Sequence, residues 1–371
     1  MLMIPGPSEP EPEALSSLSL PILPHYGEKW GKVYTETAGK LQKVFRTSNE
    51  VIVVPAPGQA CVEIAVANFV RKGQEAFVCI NGFFSEMIEE MVRLYGGKPV
   101  VIRSRKYGSA VRAEDVKAAI DNSKDSVGKC LLVLQNETST GVVNPVREIL
   151  KVCHEKGVLS VLDSISAFGG MDVRVDEWKA DFCIGYPSKA LGGVFGAVPI
   201  SVSGECWDVA RRNAENICGR FLNLNVWRKF IDEWGKWGHP HPTSMPTSVI
   251  VAMNKALDLV LSEGLENRYE RHRGVAKMMR DGLKSLNLEI FPSENCVSST
   301  VSVAKIDPRY DERLRGELAR KYNILIAGGL GKLRGRIIRI GHMGTSATFP
   351  AVSITLEAIG SVLQNLSSSV R

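Results

Sequence analysis

The chain has 371 residues, 44% of them hydrophobic, enough to bury a large core, and at roughly 150 residues per domain two domains are expected. Its net charge of +6 comes from 46 basic and 40 acidic residues dispersed along the chain, with no basic stripe interleaved with aromatics, which excludes a nucleic-acid binder. No run of about 18 apolar residues offers a membrane span, the opening MLMIPGPSEPEPEAL lacks the basic-then-apolar order of a signal peptide, and eight cysteines without a CxxC pair read as buried free thiols, so a cytoplasmic location is expected.

Pro5-Gly6-Pro7, with Pro10 and Pro12, cannot be a helix interior and is expected to run extended over the surface. A helix is expected over Glu36 to Phe45, and from there strands and helices alternate. Strands are expected at Val51–Val54, Ala76–Ile80, Val100–Ile102, Cys130–Leu134 and Val158–Leu162. Helices are expected between them, over Gln59–Val70, Ser85–Tyr95, Ala113–Ile120 and Asn144–Glu155. Such alternation predicts a parallel sheet covered on both faces, with ligands gathering at the carboxyl ends of the strands.

Those ends carry the informative residues. After the first strand, Pro55-Ala-Pro-Gly-Gln59 opens a helix, and its free N–H groups, on Gly58 and Gln59, suit a phosphate. After the second, Asn81-Gly-Phe-Phe84 offers an aromatic, Phe84, to a planar ligand or to the core. Gln135-Asn-Glu-Thr-Ser-Thr-Gly141 places a polar cluster beyond a buried strand, a costly arrangement unless it meets something. Asp163 ends the strand at 158–162, and a further short strand, Asp181–Gly185, leads into Tyr186-Pro187-Ser188-Lys189 among glycines. Read alone, Lys189 is a solvated loop lysine and Asp163 a helix cap. Read together, an amine and an acid at neighbouring strand tips match a Schiff-base lysine and the partner of a pyridinium nitrogen.

Past Val198 the alternation breaks. Trp207, Trp227, Trp234 and Trp237 read as packing or interface residues, and the proline-rich 238–247 marks a crossing between parts of the chain. His239 and His241 lack the company a metal would need. Long helices are expected over Ser248–Ser262 and Leu265–Leu286. A smaller α+β unit follows, with strands near Leu288, Val301, Ile324 and Ile337 and helices near Arg313 and Ala351. The domain boundary is placed between residues 245 and 246. Gly331-Lys332 has the wrong spacing for a P-loop, and no strand is followed by GxGxxG. Arg339, inside an apolar strand, is either an exposed strand-face arginine or a fork for a carboxylate.

The amino-terminal PGP, Asn136-Glu-Thr-Ser-Thr-Gly-Val142, Asp163-Ser-Ile-Ser-Ala-Phe-Gly-Gly170, Ser188-Lys-Ala-Leu191 and Arg339-Ile-Gly341 occur in one order over nearly the whole chain. This pattern resembles the class V aminotransferases, in particular the alanine/serine–glyoxylate (serine–pyruvate) branch. The resemblance implies an α/β, fold-type I enzyme: a large, mostly parallel domain, a small α+β carboxyl-terminal domain, and a homodimer with shared active sites. It implies pyridoxal 5′-phosphate held by Lys189 as a Schiff base, with Asp163 on the pyridine nitrogen and Phe84 stacked on the ring. Thr138 or Ser139 would lie near the phenolic oxygen, Ser188 beside the lysine, and Gly58 and Gln59 on the phosphate. Thr243 or Ser244 would reach the phosphate in the partner subunit. Gly6 would border the substrate and Arg339 would bind its α-carboxylate. The substrates implied are a small amino acid and a 2-oxo acid.

Three departures bear on specificity: the phosphate turn is poor in glycine and serine, Ser188 stands where glyoxylate enzymes often carry Gln, and Phe84 replaces a commoner Trp. Rival readings are an aspartate-type or aminophosphonate aminotransferase, a lyase such as a cysteine desulfurase using Cys296, and a non-catalytic protein that kept the fold.

Overall fold

The computed structural model describes residues 1–123 and 129–368. Seven strands form the central sheet: β1 (Glu50–Val54), β2 (Glu75–Ile80), β3 (Lys98–Arg103), β4 (Cys130–Leu134), β5 (Leu159–Asp163), β6 (Phe182–Ile184) and β7 (Val198–Val202). Their order across the sheet is β1-β7-β6-β5-β4-β2-β3, with β7 antiparallel to both of its neighbours and the β6-β5-β4-β2-β3 pairings all parallel. The mostly parallel α/β architecture is therefore as expected, with β7 as an addition.

Successive residues of these strands point to opposite faces, and both faces are buried, which is why the strands read as continuous apolar runs. Val51, Val53, Phe77, Cys79, Leu131 and Val133 enter one core with Leu41 and Phe45 of helix α1 (Glu28–Phe45). Ile52, Val54, Val78, Ile80, Leu132 and Leu134 enter the other. There they meet α2 (Gly58–Phe69) and α3 (Phe83–Leu94) through Ile64, Val66, Ile88 and Val92. Each such fully buried aliphatic side chain contributes about 1.5–3 kcal/mol.

Helix α4 (Thr247–Glu263) buries Ile250, Met253 and Leu257 in the first of these cores, and α5 (Leu265–Ser285) continues from it after Gly264. A second, antiparallel sheet of β8 (Val301–Lys305), β9 (Ala327–Gly328) and β10 (Ile337–Gly341), in the order β8-β10-β9, has its own core with α6 (Pro308–Tyr322) and α7 (Phe349–Ser368).

Two local expectations are corrected. Near Leu288 there is only an isolated bridge, Ile290 with Ala304, although Phe291 N–H bonds Val303 O at 2.9 Å and Lys305 N–H bonds Glu289 O at 2.8 Å along the outer edge of β8. The strand expected near Ile324 is β9, slightly further on, with Leu325 bridging Leu2 ahead of it. The amino-terminal segment does not run over the surface. Met3 is fully buried in the small core, its N–H bonds the Leu325 carbonyl and its own carbonyl accepts from Gly341 N–H, both at 2.9 Å. Ser8 is buried at the far end of the same segment, so the chain here passes, through a run of bends, from the small core to the lysine turn.

Among the described residues no helix is long and apolar enough to cross a membrane.

Candidate active site

β5 pairs in parallel with β4 and β6, so Asp163 stands at the carboxyl edge beside Leu134 and Ile184. Its Oδ1 accepts one hydrogen bond, from Ile165 N–H at 2.9 Å. Burial pushes its pKa up to about 7, with Glu137 adding to the rise and the Ile165 N–H and Lys189 opposing it. After β6 the chain makes one wide π-type turn, Pro187–Leu191, which carries Lys189 to the same edge. The Lys189 Nζ donates to the Pro5 carbonyl at 2.5 Å. Burial, followed by the nearby Arg339 charge, lowers its pKa to about 8 against the pull of Asp163. An amine poised between nucleophile and cation thus faces a carboxyl poised between acid and base.

Helix α2 begins at Gly58 behind Pro57. Ala60 N–H turns back to the Pro57 carbonyl, whereas the N–H groups of Gly58 and Gln59 have no acceptor among the described residues. Two free donors at the positive end of a twelve-residue helix form an anion cradle. A Cβ on Gly58 would stand 2.8 Å from the Ile165 side chain, so only glycine lets this cradle approach the Asp163 loop so closely.

These elements enclose a cavity of about 480 Å³ whose wall includes Gly6, Gly58, Gln59, Phe84, Thr138, Asp163, Ser188 and Lys189. Phe84, at the start of α3, is 36% exposed because its ring opens onto that space. Of the two hydroxyl candidates, Thr138 lines the cavity. Ser139 does not, because its Oγ donates to Glu137 at 2.6 Å and accepts from Phe83 N–H at 2.9 Å. Arg339 stands one layer back on β10, its Nε donating to Gly328 O at 2.7 Å and its Nη1 reaching the Thr138 carbonyl at 3.4 Å. No carboxylate pairs with it among the described residues, and burial lowers its pKa to about 10. Thr243 and Ser244 lie outside the cavity. Nearby, His241 accepts from Trp30 Nε1–H at 2.9 Å, so the ring's other nitrogen donates to the Thr243 carbonyl.

Sequence reasoning passed over Glu137, Asn136 and Tyr186. Glu137 is fully buried and accepts from the N–H and hydroxyl of both Ser85 and Ser139, which fixes the start of α3 and with it Phe84. Its signal was there: it is the one charged residue in the polar run after β4. Asn136 lines the cavity with an Oδ1 that has no partner among the described residues. Tyr186 packs beside Gly58. Cys296 is not a mobile loop thiol. It is 7% exposed, its Sγ contacts the Ser293 and Gly108 carbonyls, and burial raises its pKa.

A cavity of this size at the strand tips, with an amine, a facing carboxyl and an uncommitted helix amino terminus, fits a phosphorylated pyridine aldehyde held through a lysine. Comparison with known proteins points the same way. Residues 19–194 match the family model described as aminotransferase class-V. The chain is 35% identical to an uncharacterised aminotransferase of Methanocaldococcus jannaschii over 97% of its length and 93% of the relative's. It is 26% identical to the alanine–glyoxylate aminotransferase of Drosophila melanogaster, covering 98% and 92%. Among solved structures, ureidoglycine–glyoxylate aminotransferase from Bacillus subtilis superposes with a TM-score of 0.91 at 28% identity, covering 98% of this chain and 92% of that one. The chain therefore belongs to the class V aminotransferases: it is a fold-type I transaminase whose cofactor is pyridoxal 5′-phosphate.

Proposed function

We propose that this enzyme moves the amino group of a small amino acid, alanine or serine, to glyoxylate or pyruvate, in two half-reactions at one site and hence with ping-pong kinetics. The observation that carries the reading is the meeting of Lys189, Asp163 and the uncommitted α2 amino terminus around one cavity. Bound pyridoxal phosphate supplies an electrophilic carbon and a ring that withdraws electrons from the substrate Cα. Lys189 holds it and, once displaced by the donor's amine, takes the Cα proton and returns it one carbon away. An amine with a pKa near 8 is suited to both directions of that transfer. Asp163, ionised against a pyridinium, keeps the ring nitrogen protonated. Gly58 and Gln59 would hold the phosphate, with Phe84 available to the ring and Thr138 to the phenolic oxygen. Arg339 and Gly6 bound the substrate end, with the guanidinium fork taking the α-carboxylate.

A short, uncharged substrate side chain is supported by the cavity wall, which among the described residues carries no cation besides Lys189. Arg103 is paired with Glu86 and Glu89, Arg105 with Asp115, and Arg220 with the Pro242 carbonyl, and none of the three lines it. The relatives named for alanine, ureidoglycine and glyoxylate support the same class. We read the working unit as a homodimer. Phe195 lines the cavity yet is 69% exposed, and Ile22, Tyr26 and Trp237 expose 82%, 60% and 66%, a load of apolar surface that a second copy would cover. In that dimer Thr243 or Ser244 would serve the partner's phosphate. In this reading residues 1–245 form the cofactor-binding domain and 246–371 the small one with its long linking helix, α4, which packs Ile250, Met253 and Leu257 into the large domain's core. A cytoplasmic location accords with seven buried free thiols among the eight cysteines.

The test is a half-reaction panel, in which the cofactor-loaded enzyme is mixed with single amino acids and the loss of its visible band is followed. Alanine and serine should bleach it. Bleaching by aspartate or glutamate alone would overturn the substrate class. Lys189→Ala should abolish turnover and leave the cofactor bound without a covalent link, so that borohydride no longer fixes it to the protein.

A further inference from the structure

Arg268, on α5, is 2% exposed, and a guanidinium this deep must have its donors met. Its bonds go to two different loops. Nε donates to the Gly169 carbonyl at 2.8 Å, in the loop that follows Asp163. Nη2 donates to the carbonyls of Ala190 at 2.9 Å and Leu191 at 3.0 Å, the two residues after Lys189. Nη1 is paired with Glu263 at 2.7 Å, and Glu11 stands 3.7 Å away. The remaining titratable neighbours are Arg271 and His272, whose ring burial keeps neutral.

The two loops also touch directly. A Cβ on Gly169, where φ is +80°, would lie 2.8 Å from Leu191 Cα, and one on Gly170 would lie 2.5 Å from Ala190 Cβ. A single π-type turn satisfies few of its own carbonyls: Gly193 N–H bonds Pro187 O at 2.8 Å and Gly192 N–H bonds Lys189 O at 3.1 Å, and outside groups must meet the rest. Ser8 reaches the second and third, its N–H bonding Ser188 O at 2.9 Å and its hydroxyl bonding Lys189 O at 2.6 Å. Arg268 takes the next two.

We propose that Arg268 is a positioning residue for transamination: by holding the backbones of both loops it sets where the Lys189 amine stands relative to the Asp163 carboxylate, and so relative to the cofactor between them. The inference rests on the roles given above to Lys189 and Asp163. Only a planar fork spans both loops at once, so lysine is not an equivalent replacement. Losing Arg268 does not strip Glu263 of partners, because Arg271 Nε and Nη2 hold it at 2.6 and 2.9 Å, which favours survival of the variants.

The experiment uses the cofactor-loaded Arg268→Lys and Arg268→Met enzymes. It reads the pH titration of the visible band of lysine-bound cofactor, kcat and KM for alanine, and the thermal midpoint. The titration midpoint should move by about half a pH unit or more. kcat should fall about ten- to a hundredfold, the scale of a misplacement near 1 Å, with KM little changed and lysine intermediate between arginine and methionine. If Arg268→Met does not fold, Arg268→Lys decides alone. Variants that melt earlier but keep the wild-type titration and kcat would show Arg268 to be an ordinary structural cation. A wild-type enzyme without a band that Lys189→Ala removes would instead overturn the Lys189 assignment, and this inference with it.

Discussion

Asp163→Asn should make the cofactor-free protein more stable while disabling its chemistry. The folded protein raises this carboxyl from its usual 3.8 to about 7, chiefly by burial. Between those values the unfolded chain has released its proton and the folded chain still holds it. Stability is therefore lost as pH climbs through that window, and the loss is complete above about 7. Three pH units correspond to about 4 kcal/mol as a ceiling. The carboxyl opens onto the cavity, where water screens it, so about 2 kcal/mol is the working figure. Asparagine keeps an oxygen for the Ile165 N–H and has no charge to bury. Urea unfolding of the two cofactor-free proteins should give near-coincident midpoints only at about pH 3.5 and below, with the variant more stable by about 1 kcal/mol at pH 4.5 and by about 2 kcal/mol at pH 8. The loaded variant should turn over about a hundredfold more slowly or worse, the scale of removing one charge-stabilising group from a water-poor site. Equal stabilities at pH 8, or a gap that widens toward acid, would refute the account of Asp163 as a buried charge awaiting a cation.

Arg339→Lys should raise KM for the amino donor about tenfold or more, because an ammonium replaces a two-pronged fork, with a smaller change in kcat; steady-state kinetics with alanine would show it. Gly6→Ala should block covalent loading. Its φ is +120° and a Cβ there would fall 2.1 Å from Lys189 Nζ, so borohydride labelling at Lys189 should disappear. The rate at which pyridoxal phosphate loads the cofactor-free protein should climb with pH and level off near 8, following loss of the proton from Lys189; a flat stopped-flow profile from pH 6 to 9 would contradict the lowered pKa.

The central strands were legible because burial on both faces leaves nothing but apolar residues in them, and the loops at their tips inherit the polar ones. Asp163 and Lys189 could be found that way. β7 could not: Pro199 sits inside it, and proline argues against a strand with neighbours on both sides. It is tolerated because the carbonyl, not the missing N–H, makes the contact, accepting from Gly185 N–H at 3.0 Å. The path of the amino terminus was hidden for another reason. The prolines announce an extended chain, but its partners, Leu325 and Gly341, lie more than 300 residues away. Arg268 was hidden by its own helix. In Leu265-Glu-Asn-Arg-Tyr-Glu-Arg-His-Arg273 a buried cation looks like one more charge on a solvated face.

Those long-range contacts bear on how the site holds a small substrate. The groups assigned to its two ends sit on different sheets' frameworks: Arg339 within β10, Lys189 on the turn that follows β6 of the central sheet. The segment between Met3 and Ser8 bridges them: Met3 exchanges hydrogen bonds with the rim of the Arg339 sheet, Pro5 accepts from the Lys189 amine, and Ser8 holds the lysine's turn. Six residues of chain therefore tie the position of the carboxylate fork to the position of the amine. A substrate with only two or three carbons between its charged ends leaves little tolerance in that spacing, since displacements near 1 Å are costly to catalysis. Arg268 constrains the lysine turn through its last two carbonyls, those of Ala190 and Leu191, which Ser8 does not reach. The turn is thus held by a buried cation on α5 and by the amino-terminal strap, which leaves Lys189 its side-chain torsions, rather than its backbone, as the freedom with which to move a proton.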